Sequence, residues 1–207
     1  MAKSTKFNLP DRWLTANDTL TSGISKVDPS LPIATVLEQI SSDGVSYRSI
    51  IRVNGLSKAI GSDAALGFGE HIASFPVGLI MPVGGYISLT STCATGLSAS
   101  AGEIGLGSVI ASGAIATLTT ATFDDLMDGT TISDHVAATA LRSRKANVAG
   151  LGGTAATNGV RVLDGSSAAA KIHLNIASTW NQTAAESVTL SGLVILDWMY
   201  MGVGDET

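Results

Sequence analysis

Strict alternation of apolar and polar residues in the last third of the chain constrains its fold most. Residues 171–176 place three aliphatic residues at every second position, and residues 187–198 repeat the pattern. A period of two is typical of a β-strand with one buried face. Within the second segment, Leu193 and Ile195 make the opposite face apolar as well. A strand that is apolar on both faces is central in its sheet or lies at an interface.

Other segments have strand composition, with β-branched or alternating residues between turn signals. Asn54–Gly55 predicts a turn, and Thr122 predicts the cap of a short helix over residues 123–128. Residues 33–40 are either a strand or a short helical turn. No stretch alternates strands with long amphipathic helices, so the chain is predicted to be all-β, with a jelly-roll-like β-sandwich over residues 33–207. The remaining predicted strands are residues 47–53, 70–75, 86–90, 108–111 and 114–118.

Residues 1–32 are predicted to form an extended N-terminal arm. Three prolines in this segment interrupt any regular element. Trp13 and Leu14 are apolar anchors within otherwise polar sequence. The arm is either a loose terminus or a segment that docks on a neighbouring subunit by burying Trp13.

Charge and composition narrow the functional classes. The net charge of -5 argues against general nucleic-acid binding, which needs a basic surface. No apolar run approaches the roughly 18 residues that span a bilayer, and no signal peptide is visible. The charged fraction is 14%, against about 25% in typical domains, which fits a protein that buries surface against copies or partners. Cys93 is the single cysteine, which mildly favours assembly in a reducing cytoplasm.

Residues that carry catalysis or bind metals are scarce. The three histidines are His71, His135 and His173, and none has the spacing of a local metal site. The chain has no nucleophile elbow and no phosphate-binding glycine motif. We therefore expect no catalytic residue, no metal ligand and no cofactor, and a protein that is not an enzyme.

Residues 141–159 are predicted to form a long exposed loop, because they are rich in glycine and lack alternation. Their basic cluster is Arg142, Arg144 and Lys145. This cluster is either a solvated loop or a contact for an acidic patch on a partner.

Residues 68–78 read FGEHIASFPVG, and residues 102–123 contain a Gly-Leu-Gly hairpin followed by apolar sequence. Residues 164–177 and 188–198 end the pattern with a Leu-Asn strand and a Ser-Gly…Trp strand. In this order, the segments resemble structural proteins of tailed-bacteriophage virions. The resemblance implies a jelly-roll protein that decorates or cements the capsid.

The resemblance also implies partners and a location. We expect the protein to bind the major capsid protein and stabilise the head non-covalently, as a homo-oligomer with a trimer favoured. It would be part of the virion and assemble in the host cytoplasm. Neither nucleic acid nor membrane is expected as a partner. The candidate contact residues are Trp13, Leu14, Arg142, Arg144, Lys145, Trp198 and Tyr200.

An alternative role is a head-fibre, tail or adsorption protein that binds host-surface glycan, since jelly rolls often serve as lectins. Sugar sites usually contain exposed aromatic residues. Trp180, in a predicted loop over residues 178–183, is the candidate glycan-binding residue.

Overall fold

The structure, a computed structural model, describes the backbone of residues 25–26, 34–41, 45–60, 64–92, 98–118, 122–132, 141–147, 162–181 and 186–202. These described residues form eleven strands and no helix. The strands are β1 (Ser25–Lys26), β2 (Ala34–Ser41), β3 (Ser46–Ile60), β4 (Ala64–Ser74), β5 (Gly78–Thr92), β6 (Ser98–Gly107), β7 (Met127–Ile132), β8 (Leu141–Asn147), β9 (Leu163–Gly165), β10 (Lys171–Asn181) and β11 (Glu186–Gly202).

The strands form two antiparallel sheets. Sheet A has the order β1-β4-β10-β6-β7, and sheet B has the order β2-β3-β11-β5-β8, with β9 added to β5. Without β9, eight main strands run from β3 to β11. The first of them (β3) pairs with the eighth (β11), and the second (β4) pairs with the seventh (β10). This is the strand order of a jelly roll with two Greek keys. The prediction of an all-β, jelly-roll-like sandwich is confirmed.

The hydrophobic core lies between the sheets. Ile172, Leu174 and Ile176 of β10 and Val194 and Leu196 of β11 are at most 2% exposed. They occupy the alternate positions on which the strand prediction was based. Full burial of one such side chain contributes about 1.5–3 kcal/mol, so the two alternating segments hold the sheets face to face.

Strand β3 continues through Asn54–Gly55, where the sequence predicts a turn. Gly55 has a φ of 62°, and the pairing of β3 with β11 shifts register between Leu190 and Gly192. The dipeptide therefore makes a β-bulge, in which glycine adopts the left-handed conformation without steric strain. The prediction of a turn was wrong because β11 continues alongside β3 on both sides of the bulge.

Two short strands predicted within residues 108–118 are absent, and so is the helix predicted to begin near residue 122. Apart from a single bridge between Gly67 and Gly113, residues 108–118 are irregular. Residues 122–126 form turns that lead into β7 at Met127. Residues 108–118 and 122–126 are called the cover segment below.

The cover segment packs on the outer face of sheet A, opposite the core. Asn175 of β10 holds it: Nδ2 donates to Val109 O at 2.8 Å and to Phe123 O at 2.6 Å, and Oδ1 accepts from Ala111 N at 2.8 Å. Its apolar side chains form a second, smaller apolar cluster with Ala177 of β10. Backbone groups that a strand would pair with a neighbouring strand are paired here with one buried amide, which explains the loss of strand structure. The residues of this cluster are Ala111, Leu118 and Ala177, with Ile115 and Phe123 packed against them.

Two further predictions need correction. Leu141–Asn147, the start of the predicted loop over residues 141–159, is strand β8, paired along its length with β5. Trp180 lies in strand β10 and not in a loop, with its backbone between Ala64 and Ala99. Of the predicted arm over residues 1–32, only the short strand β1 is described, and the rest lies outside the described residues.

Candidate partner-binding face

The outer face of sheet B carries a row of half-exposed apolar side chains. Ile195 of β11 pairs with Ile50 of β3 on one side and with Tyr86 of β5 on the other. Leu193 lies two positions along β11 on the same face, and all four side chains are half-buried. Directly opposed residues in a sheet have Cβ atoms roughly 4.5–5.5 Å apart and point to the same side. Ile50, Tyr86, Leu193 and Ile195 are called the apolar row.

Strand β11 is central in sheet B, between β3 and β5. The sequence predicts that a strand with two apolar faces is central or lies at an interface. The central position accounts for the buried face, which contains Val194 and Leu196. It does not account for the apolar row on the other face, since the described residues place no third layer over it.

An ion pair borders the row on one side. Arg48 donates two hydrogen bonds to the carboxylate of Asp197, from Nε at 2.7 Å and from a terminal nitrogen at 2.9 Å. These hydrogen bonds, together with the negative charge of Asp197, raise the pKa of Arg48. An exposed pair of this kind contributes little stability, about 0–1 kcal/mol. Its main effect here is to hold the guanidinium in one orientation at the border of the row.

Further cationic positions lie along the same face. Arg52 of β3 is exposed and pairs with Leu193 of the row. On β8, the register places Arg144 opposite Ser88 and Arg142 opposite Thr90. On β2, Glu38 is opposite Ile50 in register.

The three basic residues of β8 do not share one face. Ser88 lies beside Leu193 in the register of β5 and β11, so Arg144 and Arg142 hold positions on the outer face. Lys145 is opposite Ile87, whose side chain is fully buried in the core. The structure therefore brings two of the three predicted basic contacts to the face that carries the apolar row.

Trp198 does not lie at the surface. It is 1% exposed, stacks on Tyr47 at a ring-centroid distance of 4.4 Å, and meets the edge of Phe75 at 5.4 Å. Trp198 is one of the partner contacts predicted from the sequence. The structure corrects this, since the alternation turns Trp198 inward and leaves no indole surface for a partner.

Tyr200 is half-exposed at the end of β11. Its hydroxyl donates to Val77 O at 3.1 Å, and its backbone N–H donates to Val45 O at 2.8 Å. Val45, Val77 and Met201 are between 41% and 52% exposed. Tyr200 thus lies beside exposed apolar residues at the end of β11. Trp13 and Leu14 lie outside the described residues, and the role predicted for Trp180 stays a prediction.

Neither family models, nor curated proteins, nor solved structures match this chain. Its function is therefore inferred from its own surfaces. Across the described ranges, no group of three or more His, Cys, Asp or Glu side chains is placed to hold a metal ion. The same part of the chain contains no helix long and apolar enough to cross a membrane.

Sequence reasoning missed one cluster of titratable groups. His71 of β4 and His173 of β10 are opposite each other in register, with ring centroids 5.4 Å apart. His71 Nε2 shares a hydrogen bond with Ser74 Oγ at 2.8 Å. The two histidines are 102 positions apart, and only the pairing of β4 with β10 brings them together. Their shared signal is that each falls on the polar phase of its strand.

Burial lowers the pKa of both rings below the ordinary histidine value of 6.5. For His173, the nearby His71 lowers the pKa further, and Lys171 has the same effect on each ring. Hydrogen bonds to the backbone act in the opposite direction but are outweighed. Both rings are therefore neutral near pH 7.

Proposed function

We propose that this chain is a structural protein of a bacteriophage virion that decorates or cements the assembled head. The apolar row on the outer face of sheet B is the observation that carries the proposal of partner binding. The jelly-roll-like strand order and the resemblance of residues 68–78, 102–123, 164–177 and 188–198 to phage structural proteins support the proposal of a virion role.

The chemistry of this face fits a protein partner. Protein interfaces have apolar centres enriched in aromatic residues and arginine, and polar edges. The apolar row would supply the centre, with Tyr86 as its aromatic residue, and Arg52, Arg142 and Arg144 would lie towards the edge. The matching surface on the major capsid protein would be apolar with carboxylates around it. Such charge complementarity mainly increases the association rate and the specificity.

The proposed mechanism involves no catalytic step. A protein that binds the assembled shell, and not its separated subunits, stabilises the shell by mass action. At a free concentration 100 times the Kd, the gain is about 2.7 kcal/mol for each occupied site. A symmetric homo-oligomer, with a trimer favoured, would occupy several sites at once. An arm that buries Trp13 and Leu14 on a neighbour would add a further contact.

The test uses undecorated heads and the purified full-length chain. We expect the chain to co-sediment with the heads and to raise their melting temperature. Ile195→Asp should abolish both effects, because it places a charge in the centre of the apolar row. The matched control is Ser187→Asp, which places the same charge at an exposed position of the same strand and should bind normally.

Urea unfolding of each variant separates loss of binding from loss of folding. A folded Ile195→Asp protein that binds heads like the wild type would remove the apolar row from the proposal. A wild-type chain that neither sediments with heads nor stabilises them would overturn the decoration role itself. A copy number in the hundreds in purified particles supports decoration, whereas a handful of copies indicates a tail or fibre component.

A further inference from the structure

The histidine pair lies where the cover segment begins. His173 pairs with Gly107 at the end of β6 and with His71 on β4, so it lies between the two neighbouring strands. The cover segment starts at Ser108, the next residue along the chain. His173 is therefore adjacent to the start of the cover segment, and its ring interacts with the backbone of Gly107 and Ser108.

The surroundings of His173 suit a neutral ring. Its side chain is 7% exposed, and its Nδ1 atom is buried without a hydrogen-bond partner. A neutral imidazole leaves one nitrogen without a proton, whereas an imidazolium donates from both nitrogens. In the closed arrangement, Nδ1 has no hydrogen-bond partner, and the ring's hydrogen bonds to the backbone of Gly107 and Ser108, which favour the charged form, do not offset its burial. A buried charged donor without a hydrogen-bond partner costs more free energy than a neutral one does.

The charged groups around the pair add to this cost. Two positive groups act on His173. One is His71 when it is protonated, with its ring centroid 5.4 Å away, and the other is Lys171 on the same strand. Three carboxylates on the neighbouring elements are engaged by other groups, although the negative charge of Glu70 still raises the pKa of His71. Glu70 pairs with Lys58 at 2.6 Å, Glu103 accepts from Leu118 N at 2.6 Å, and Asp125 accepts from the N–H and hydroxyl of Ser108.

We propose that His71 and His173 make the cover segment a pH-sensitive latch, which is closed while both rings are neutral and opens when His173 takes up a proton. Opening would let water reach the ring and would release the Asn175 hydrogen bonds nearby. It would also expose the apolar cluster formed by Ala111, Ile115, Leu118, Phe123 and Ala177. The latch is independent of the apolar row, which lies on the other sheet.

The direction in which pH shifts the opening equilibrium follows from proton binding by the two states. The opened state exposes the ring and takes up protons near the ordinary histidine pKa of 6.5, whereas the closed state takes them up only at lower pH. Opening is therefore favoured as the pH falls below about 6.5. If one proton is taken up on opening, the equilibrium constant for opening rises by up to about tenfold for each pH unit.

Hydrogen exchange of the full-length chain measures the opening of the cover segment directly. The reporter amides are those of the cover segment whose hydrogen bonds are present only when it is closed. Protection is compared between pH 7.5 and pH 5.0 after correction for the intrinsic exchange rate, and ordinary carboxylates stay ionised over most of this range. We expect protection of these amides to fall below pH 6.5 by more than that of the strand amides in sheet B, which follow global unfolding. The reporters are the N–H groups of Ala111, Leu118 and Leu126, which bond to groups on β10 and β6.

Three variants show which histidine causes the pH dependence of the protection. His173→Gln should remove the pH dependence, because glutamine does not titrate, and His71→Gln should weaken it, because one of the two like charges is gone. His135→Gln removes the third histidine, which lies outside the described residues, and should behave as the wild type does. Wild-type protection that stays flat from pH 7.5 to pH 5.0 would overturn the proposal, as would a pH dependence that survives His173→Gln.

A second measurement covers the case in which His173→Gln does not fold. The ring signals of the three histidines are followed by NMR across the same pH range in the wild-type chain. The latch requires that His173 takes up its proton over the pH range in which the cover amides lose protection. Protonation of His173 with the cover amides still protected would overturn the proposal.

Discussion

Trp198 Nε1 donates a hydrogen bond to Ser49 Oγ at 3.0 Å in the interior of the sandwich. Both side chains are at most 1% exposed, and they belong to neighbouring strands, β11 and β3. Serine is an unusual residue on a core face, and this bond explains its presence: it satisfies the one polar atom of the largest buried side chain.

Ser49→Ala should destabilise the protein by about 1–3 kcal/mol, because the indole N–H would lose its partner where water does not reach it. Urea unfolding at pH 7.5 measures the change. Ser57→Ala is the matched control, since Ser57 lies on the same strand but is exposed, and it should change stability by less than about 0.5 kcal/mol. Equal effects of the two substitutions would show that the buried bond contributes no more than a surface one.

Asn175→Ala should detach the cover segment from sheet A. The substitution removes three hydrogen bonds and leaves Val109 O, Phe123 O and Ala111 N without their partner. We expect new protease cleavage within residues 108–126 under conditions in which the wild type is resistant. Asn54→Ala, at an exposed asparagine, should leave the cleavage pattern unchanged. Resistance of Asn175→Ala at the wild-type level would mean that apolar packing alone holds the cover.

Gly107→Ala should be more destabilising than Gly55→Ala. A Cβ atom at Gly107 would collide with backbone atoms of Thr122 and Phe123, so the cover segment would have to move away from β6. At Gly55, a Cβ meets nothing within 4 Å, and the change costs only the left-handed backbone strain, about 1–2 kcal/mol. Unfolding of both variants in urea gives the comparison, and a smaller effect at Gly107 would contradict the close approach.

The free energy of unfolding should fall as the pH falls below about 6.5. The pKa values of His71 and His173 are lowered in the folded protein, mainly by burial, whereas the unfolded chain takes up protons near 6.5. Their contribution to stability is therefore fully present above pH 6.5 and is lost progressively below it. Urea midpoints at pH 7.5, 6.5 and 5.5 test the slope. The double variant His71→Gln/His173→Gln should flatten it, and an unchanged slope would assign the effect to other groups.

Much of the fold is predictable from short-range patterns. Alternation over residues 171–176 and 187–198 predicted strands β10 and β11, together with the faces they bury, because side chains of a strand alternate between its two sides. The apolar character of Leu193 and Ile195 also indicated that β11 has two apolar faces. What alternation does not supply is the partner of each strand. The apolar row became visible only when Ile50 and Tyr86 were found on either side of Ile195.

The secondary-structure predictions that were wrong share one physical cause. Residues 108–118 have strand composition, yet their backbone groups bind the side chain of Asn175, which is more than 50 positions away. Asn54–Gly55 has turn composition, yet the continuing partner strand β11 makes it a bulge. Strand propensity spans only about 1 kcal/mol among the residue types, so a few tertiary hydrogen bonds are enough to override it.

The sequence by itself determined that this chain is all-β, which segments alternate, and which residues enter the core, since these follow from the period of a strand and the burial of apolar surface. Tertiary structure alone decided that Arg142 and Arg144 share a face with the apolar row, and that His71 lies opposite His173. Each of these depends on strand pairing across many residues. Pairing is set by how two whole sheets pack together and leaves no mark in any single segment.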